Sequence, residues 1–358
     1  MPVRESAPDI LVLGLGPAGA CAAKAAAQAG CSVLALERRA QAGTPVQCAE
    51  FVPAMLGGAA QTPQSALVQP ITSMVTQVES EAPDLMADFP GRMIDRMRFD
   101  AALVQAAQQA GADSCFAAPV RAVEADGSVT LAGGAVLRPR LIIGADGPRS
   151  LAGQAIGAVN DIILETRQIT AALLKPFCST DIFLSAGIPG GYGWLFPKGK
   201  VANLGLGVCQ NEKARLKPML ERLHNTLVDE GRVGREILSH TGGAIPAGGI
   251  RGPSGRLGAV PVLLAGDAAG LTNPVTGAGI NAAVQSGTLA GKAAAQWLSG
   301  QSDALADYGE DLDDLFGPSL RRALRRRATL MDAFAHENHP KPDALRASWI
   351  AYAQYWAA

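Results

Sequence analysis

The feature that most constrains this chain lies at its start. Residues Asp9 to Glu37 read as an apolar β-type run, the glycines Gly14, Gly16 and Gly19, an alanine-rich helix, and a second apolar run that ends in Glu37. That order and spacing is the βαβ unit that binds an adenine dinucleotide. Glycine permits the tight turn at Gly14, lets backbone N–H groups approach a pyrophosphate at Gly16, and lets the helix pack closely on the strand at Gly19. Pro17 and Ala18 open the helix whose N-terminus favours the anion, and Glu37, followed by Arg38, accepts from ribose hydroxyls. A glycine-rich turn without a ligand would not need strand, helix and acid to fall together at these spacings.

A second glycine segment decides which dinucleotide. Roughly 230 residues after Glu37, VLLAGDAAGLTNPVTGAGIN reads as a strand delivering Gly266 and Asp267 to a turn, then Gly277, Ala278 and Gly279, then a helix opening at Ile280 and Asn281. A nicotinamide enzyme has no use for this distant acidic turn, whereas an FAD enzyme does. Asp267 is placed to hydrogen-bond ribityl or pyrophosphate-side hydroxyls, and the helix N-terminus near Gly279 points at the flavin N1–C2=O region, where it favours the anionic reduced ring. Asp146, in Gly144-Ala145-Asp146-Gly147, is either a turn residue or a support of the cofactor domain.

Composition narrows the partners. Thirty-one basic and 32 acidic residues give a net charge of −1, which offers no polyanion-seeking surface and argues against nucleic acid. Six scattered cysteines without a CxxC pair indicate reduced thiols, with neither a disulfide framework nor a zinc site. Histidines His224, His240, His336 and His339 form no metal-ligand pattern. Glycines interrupt the first apolar run where a secretory signal would continue, and no stretch reaches the roughly 18 to 20 apolar residues of a membrane span. The expected location is cytoplasmic, with peripheral membrane contact as an option.

The expected fold class is α/β, a Rossmann-type FAD domain with an inserted β-sheet domain and C-terminal helices. The FAD domain is expected over 1–75, 92–160 and 246–300, the substrate sheet over 76–91 and 161–245, and the helices over 301–358. Arg96 opens an amphipathic helix closed by Gly111, and Asp126-Gly127 turns a hairpin. An amphipathic helix is expected near Lys213 to Val228.

GLGPAG with Glu37, GADGPRS at Gly144 to Ser150, and AGDAAG at Ala265 to Gly270 resemble the para-hydroxybenzoate hydroxylase superfamily of flavoproteins. Within it, PGGYGWLFPKGKVANLGLGV at Pro189 to Val208, and Cys48-Ala49-Glu50, resemble the geranylgeranyl reductase family. The resemblance implies an FAD domain with a β-sheet substrate domain, and reduction of isoprenoid double bonds. It also implies that Cys48 lies by the flavin ring, delivering a proton or gating the site, that Glu50 shares its role, and that Arg96 contacts the FAD. Read from the residues alone, Cys48 is equally a small buried hydrophobe and Glu50 a solvated loop acid.

Tyr192, Trp194 and Phe196 alternate on a strand, so all three share one face. In a chain with 5% aromatic residues, that concentration suits either an apolar substrate channel or an aromatic core. Ala278 and Asn281 depart from the reductases, which commonly carry an acid in the glycine comb, and look closer to the aromatic hydroxylases. Two reactions are therefore open: reduction of carbon–carbon double bonds in an apolar substrate, or NAD(P)H-dependent monooxygenation of an aromatic or peptide-borne one. A non-catalytic prenyl-binding role would not retain the phosphate glycines, Glu37 and Asp267. The halogenase branch needs a WxWxIP segment and a flanking lysine, and no lysine stands between Lys24 and Lys175. With a single dinucleotide fingerprint, the electron donor is either NAD(P)H or another reductant bound transiently, or a protein.

Towards the C-terminus, Arg321, Arg322, Arg325, Arg326 and Arg327 read as a solvated helix face, or as a contact for anionic lipid. Leu345, Trp349, Tyr352 and Trp356 fall at helical spacing and predict one apolar stripe.

Overall fold

The computed structural model describes residues 7–54, 63–337 and 339–357. Continuous apolar runs form a parallel sheet buried on both faces, as such runs must. Its six strands lie in the order Ser254–Leu257, Val260–Leu264, Leu141–Gly144, Ile10–Leu13, Val33–Leu36, Asp113–Cys115, with the first antiparallel to its neighbour. The helix Pro17–Gln28 starts with proline at its first position, where the missing N–H costs nothing. It is alanine-rich because it is enclosed on several sides. The long helix Ile280–Leu298 crosses it so closely that a Cβ on Gly287 would lie 2.1 Å from the Ala18 carbonyl oxygen, and one on Gly291 2.3 Å from that of Ala22. Gly266, with φ +60, presses on the same place, 3.0 Å from the Ala18 methyl. The two glycine segments are thus fastened to one helix from opposite ends of the sequence.

The second large sheet runs Val233–Thr241, Ile163–Leu173, Val201–Cys209, Gly193–Lys198, Ser179–Leu184, Ser73–Val78, Asp84–Met86, with Ala244–Pro246 pairing beside Ile163–Leu173. It begins at Ser73, three residues before the boundary expected at 76. Both faces are covered. Leu195, Leu204 and Leu206 pack with Met219, Leu220 and Leu227 of the helix Leu216–Asp229. Trp194, Phe196, Ile182 and Leu184 pack on the opposite side with Phe89, Met93, Leu345 and Trp349. A three-stranded sheet, Phe51–Pro53, Gly91–Ile94 and Leu67–Ile71, adjoins that second cluster.

The C-terminal part corrects two expectations. Ala304–Glu337 is one long helix, but the aromatic tail is not: Pro342–Ala347 and Ala353–Trp356 are separate short helices. Helical spacing is overridden because three of the four side chains have their own anchors. Trp349 Nε1 lies 3.3 Å from Met74 Sδ, the Tyr352 hydroxyl donates to Asp84 at 2.6 Å, and Trp356 Nε1 donates to the Ile350 carbonyl at 2.8 Å. Nor are the arginines a purely solvated face. Arg326 donates to the carbonyls of Tyr355 and Ala357, Arg322 stacks over Trp356, and buried Arg327 donates to the Gly190 carbonyl.

The helix crossing yields a direct test. Gly287→Val is expected to destabilise the protein by about 1–3 kcal/mol through overpacking, whereas Gly133→Val, with open space around its Cβ, leaves thermal unfolding within about 0.5 kcal/mol of the parent.

Candidate active site

In the first glycine turn, the fold itself requires two of the three glycines. Gly14 has φ +94 and a Cβ there would meet the Ala145 carbonyl at 2.3 Å; a Cβ on Gly19 would sit 1.8 Å from the Gly14 oxygen. Gly16 is different. Its φ of −70 suits any residue, and nothing in the protein lies within 4 Å of a Cβ built on it. Open space held by a glycine between strand and helix N-terminus fits a pyrophosphate. Glu37 is oriented at the end of the next strand by Leu15 N–H and Arg39 N–H, both at 3.0 Å, and Arg38 beside it is exposed.

Asp146 faces its own turn. It accepts from Ser150 Oγ and from the N–H groups of Leu151 and Ala152, capping the helix Leu151–Ala155. Burial pushes its carboxyl up, and those donors pull it back. Its work is to hold Ala145 against Gly14.

Asp267 sits in the turn Gly266–Ala269 and accepts from Thr272 Oγ1 at 2.6 Å. Burial pushes its carboxyl up, opposed by Thr272 and by the charge of Arg96. A half-buried acid with capacity to accept further bonds suits a hydroxyl-bearing ligand. Asn160, which the sequence did not single out, bridges the Pro148 and Asp267 carbonyls at 3.1 and 2.9 Å. The Asn273 side chain shapes the comb by accepting from Val275 and Thr276 N–H. Gly277 has φ +69, and a Cβ on Gly279 would meet Thr272 Oγ1 at 2.7 Å. Ala278 and Ile280 are half-buried and Asn281 is buried where the long helix begins.

The Cys48-Ala49-Glu50 loop is brought against this region. Arg96 makes a bidentate pair with Asp100, 2.9 Å at each contact. Burial works against its charge, but Asp100 and the Cys48 sulfur outweigh burial and hold the guanidinium ionised. Glu50 is neither a solvated loop acid nor a free proton source. It is buried, in the left-handed region at φ 68, and its carboxylate accepts from Arg96 N–H at 2.9 Å, Asn203 Nδ2 at 2.9 Å and Lys198 Nζ at 2.7 Å. Its own N–H donates to Cys48 Sγ at 3.2 Å. Gln168 extends the network, donating to the Cys48 carbonyl and accepting from Trp194 Nε1 at 3.0 Å. Asn203 and Lys198 carry a signal of this in the sequence, since polar groups in a buried strand pair need partners.

Tyr192, Trp194 and Phe196 share one face, with ring centroids 5.7 and 6.4 Å apart. The Tyr192 hydroxyl donates to the Thr276 carbonyl at 2.6 Å, tying this face to the second glycine segment. Phe51 lies 5.7 Å from Phe196, and Trp349 4.7 Å from Tyr192.

A parallel sheet with a pyrophosphate turn, a second acidic glycine turn and a β-sheet domain across from them defines an FAD-dependent oxidoreductase. A family model for an FAD-binding domain matches residues 8–173 and 256–314, and the model of the geranylgeranyl reductase catalytic domain matches 175–245. Digeranylgeranylglycerophospholipid reductase 2 of Methanopyrus kandleri is 32% identical, covering 94% of this chain and 90% of its own. The solved structure of a geranylgeranyl bacteriochlorophyll reductase-like protein from Thermoplasma acidophilum superposes with TM-score 0.81 at 25% identity, over 98% of this chain and 92% of that one. The flavin-dependent halogenase CmlS shares the fold, with TM-score 0.66 at 17% identity over 92% of this chain and 66% of that one. This chain belongs to the geranylgeranyl reductase family.

Two variants separate fold from ligand. Gly16→Ala should leave the stability of flavin-free protein within about 0.5 kcal/mol while weakening FAD binding about tenfold or more, measured by flavin titration. For Asp267 the folded pKa is raised, so its contribution to stability is greatest below the ordinary value of 3.8 and is lost as pH rises through the folded value. Asp267→Asn should therefore show a smaller loss of flavin-free stability between acid and neutral pH, and about tenfold or weaker FAD affinity.

Proposed function

We propose that this enzyme reduces carbon–carbon double bonds of an isoprenoid chain carried by a lipid-type substrate. The observation that supports this best is the pairing of a polar loop, Cys48 to Glu50, with an apolar aromatic face, both abutting the region that accommodates FAD. In this reading Gly14, Gly16, Pro17, Ala18 and Gly19 receive the pyrophosphate, Glu37 the ribose, with Arg38 at its side, and Gly266, Asp267 and the comb from Gly277 to Asn281 the flavin side. Arg96 supports the ring side, and Asp146 holds the turn. Bound and reduced, FAD supplies the hydride.

The chain's own residues do the rest. Trp194 and Phe196 form the buried apolar wall behind the site, which excludes water, and half-buried Tyr192 at its edge is the ring of this face placed to meet the alkyl chain. Cys48 donates the proton to the second carbon, so one proton and one hydride saturate the bond. The charge left on sulfur is received by the Glu50 N–H and the Arg96 guanidinium. Glu50 holds this arrangement through its carboxylate and is a positioning residue. The electron donor is NAD(P)H or another transient reductant, the place of action cytoplasmic, and delivery of a lipid substrate would involve peripheral membrane contact.

Cys48→Ala should lower turnover about 10²–10⁴-fold, the scale of a lost proton donor, with bound flavin unchanged; unaltered turnover would return Cys48 to a packing role. The reaction class is tested by reducing the flavin anaerobically with and without a prenyl substrate, then admitting air. Anaerobic, alkene-dependent reoxidation is expected. Substrate-coupled oxygen uptake would instead establish monooxygenation, the chemistry to which Ala278 and Asn281 lean.

A further inference from the structure

Residues 45–50 lead into the strand Phe51–Pro53 without forming helix or strand, so their peptide groups must find partners elsewhere. They find them on the second large sheet and at its edge. The Val46 carbonyl accepts from Thr241 Oγ1, the Gln47 side-chain amide donates to the Gly242 carbonyl at 2.8 Å, and the Ala49 carbonyl accepts from Asn203 Nδ2 at 3.2 Å. The Cys48 carbonyl accepts from Gln168 Nε2, also at 3.2 Å.

Gln168 differs from the other partners in how it is itself held. It is 4% exposed and lies in the strand Ile163–Leu173 opposite Gly205 of Val201–Cys209, which in turn lies opposite Trp194 of Gly193–Lys198. The three residues form one row across the sheet. A Cβ on Gly205 would fall 2.6 Å from Trp194 Cε2, so glycine is what lets the indole lie across the middle strand and place its N–H on Gln168 Oε1 at 3.0 Å. An amide whose oxygen is taken by the indole has its nitrogen left for Cys48. Among the described residues the Gln168 side chain makes no bond to Glu50 or Lys198. It therefore reaches the Cys48 backbone without passing through the ion pair.

We infer that Gln168 is a positioning residue for the proton transfer: by fixing the Cys48 carbonyl it sets the peptide unit from which the thiol projects, and so where the proton is delivered. This rests on the reading of Cys48 as the proton donor. A misplacement of about 1 Å transmitted from outside the reacting atoms costs up to about 10²-fold, whereas loss of the donor costs about 10²–10⁴-fold. Removing Gln168 is thus bounded by the loss that removing the thiol produces.

The test uses the full chain loaded with FAD, reduced anaerobically with dithionite and turned over with geranylgeranyl phosphate. Gln168→Met keeps the length of the side chain and removes both polar ends. It is expected to lower kcat about tenfold or more, with KM and flavin content within about threefold of the parent. Introduced into Cys48→Ala, the same substitution should change kcat by less than about twofold, because the donor it would misplace is gone. Gln168→Glu separates position from packing: the protonated acid donates to the Cys48 carbonyl as the amide does, and the ionised acid cannot. Its kcat should fall as pH rises, along a limb that the parent and Gln168→Met lack, and this variant decides the matter if Gln168→Met does not hold flavin. A flavin-loaded Gln168→Met that turns over at the parental rate, or that loses the same factor in the Cys48→Ala background, would overturn the inference and leave Gln168 a packing residue. A Gln168→Glu profile parallel to that of the parent has the same consequence. If Cys48→Ala itself leaves turnover unaltered, the proton-donor reading fails first and this inference falls with it.

Discussion

Everything in the cofactor domain depends on how near two helices come. The helices Pro17–Gln28 and Ile280–Leu298 are separated by more than 250 residues of sequence, yet Gly287 and Gly291 bring the second onto the backbone of the first at Ala18 and Ala22. No larger residue fits at those crossings without displacing backbone. Because Ala18 belongs to the pyrophosphate turn and the second helix opens immediately after the glycine comb, this contact sets the distance between the two ends of the FAD site. The alanine-rich composition of the first helix follows from the same constraint, since it must meet a sheet on one side and a helix on the other.

The second large sheet is registered to that domain by a polar device. Glu50 is taken out of water with Lys198 for company, an arrangement whose desolvation cost is recovered only when further hydrogen bonds complete it. Asn203 and the Arg96 N–H complete it. Removing Lys198 would leave the buried Glu50 carboxylate with neutral donors only, so the pair fixes geometry more than it adds stability. Lys198 follows the aromatic strand positions directly, and Asn203 faces Phe196 across the strand pair. The loop with Cys48 and the aromatic face are therefore held relative to each other through the Glu50 carboxylate, and also through Gln168, which joins the Cys48 carbonyl to Trp194 Nε1.

What was legible in the sequence was whatever local spacing determines. Gly14, Gly16 and Gly19, the strand ending at Glu37, the helix from Ile280 to Leu298 and the shared face of Tyr192, Trp194 and Phe196 all follow from periodicities of two or 3.6 residues and from backbone requirements of glycine. The Glu50 network was not legible, because an acid in a loop carries no local sign that a lysine and an asparagine from distant strands will enclose it. The tail failed for the opposite reason. Its four apolar residues have good helical spacing, but Met74 and Asp84 capture Trp349 and Tyr352 from distant strands and the Ile350 carbonyl captures Trp356 within the tail, and these anchors outweigh the propensity of a short helix.

The pyrophosphate turn shows how the demands of fold and ligand can be told apart within one motif. Gly14 and Gly19 would collide with the protein's own carbonyls if substituted, so their presence says only that this turn packs tightly. Gly16 collides with nothing, and its backbone angles would accept alanine. What sets Gly16 apart from other unhindered glycines such as Gly133 is its place: the space in front of it is bounded by a helix N-terminus that favours negative charge. Asp267 obeys the same logic from the side of energetics. Its burial disfavours the ionised form, a cost that the folded chain relieves in part through Thr272 and Arg96, so the acid is retained against the interest of stability. Gly16 and Asp267 are thus the positions in these two turns that the demands of the fold alone do not account for.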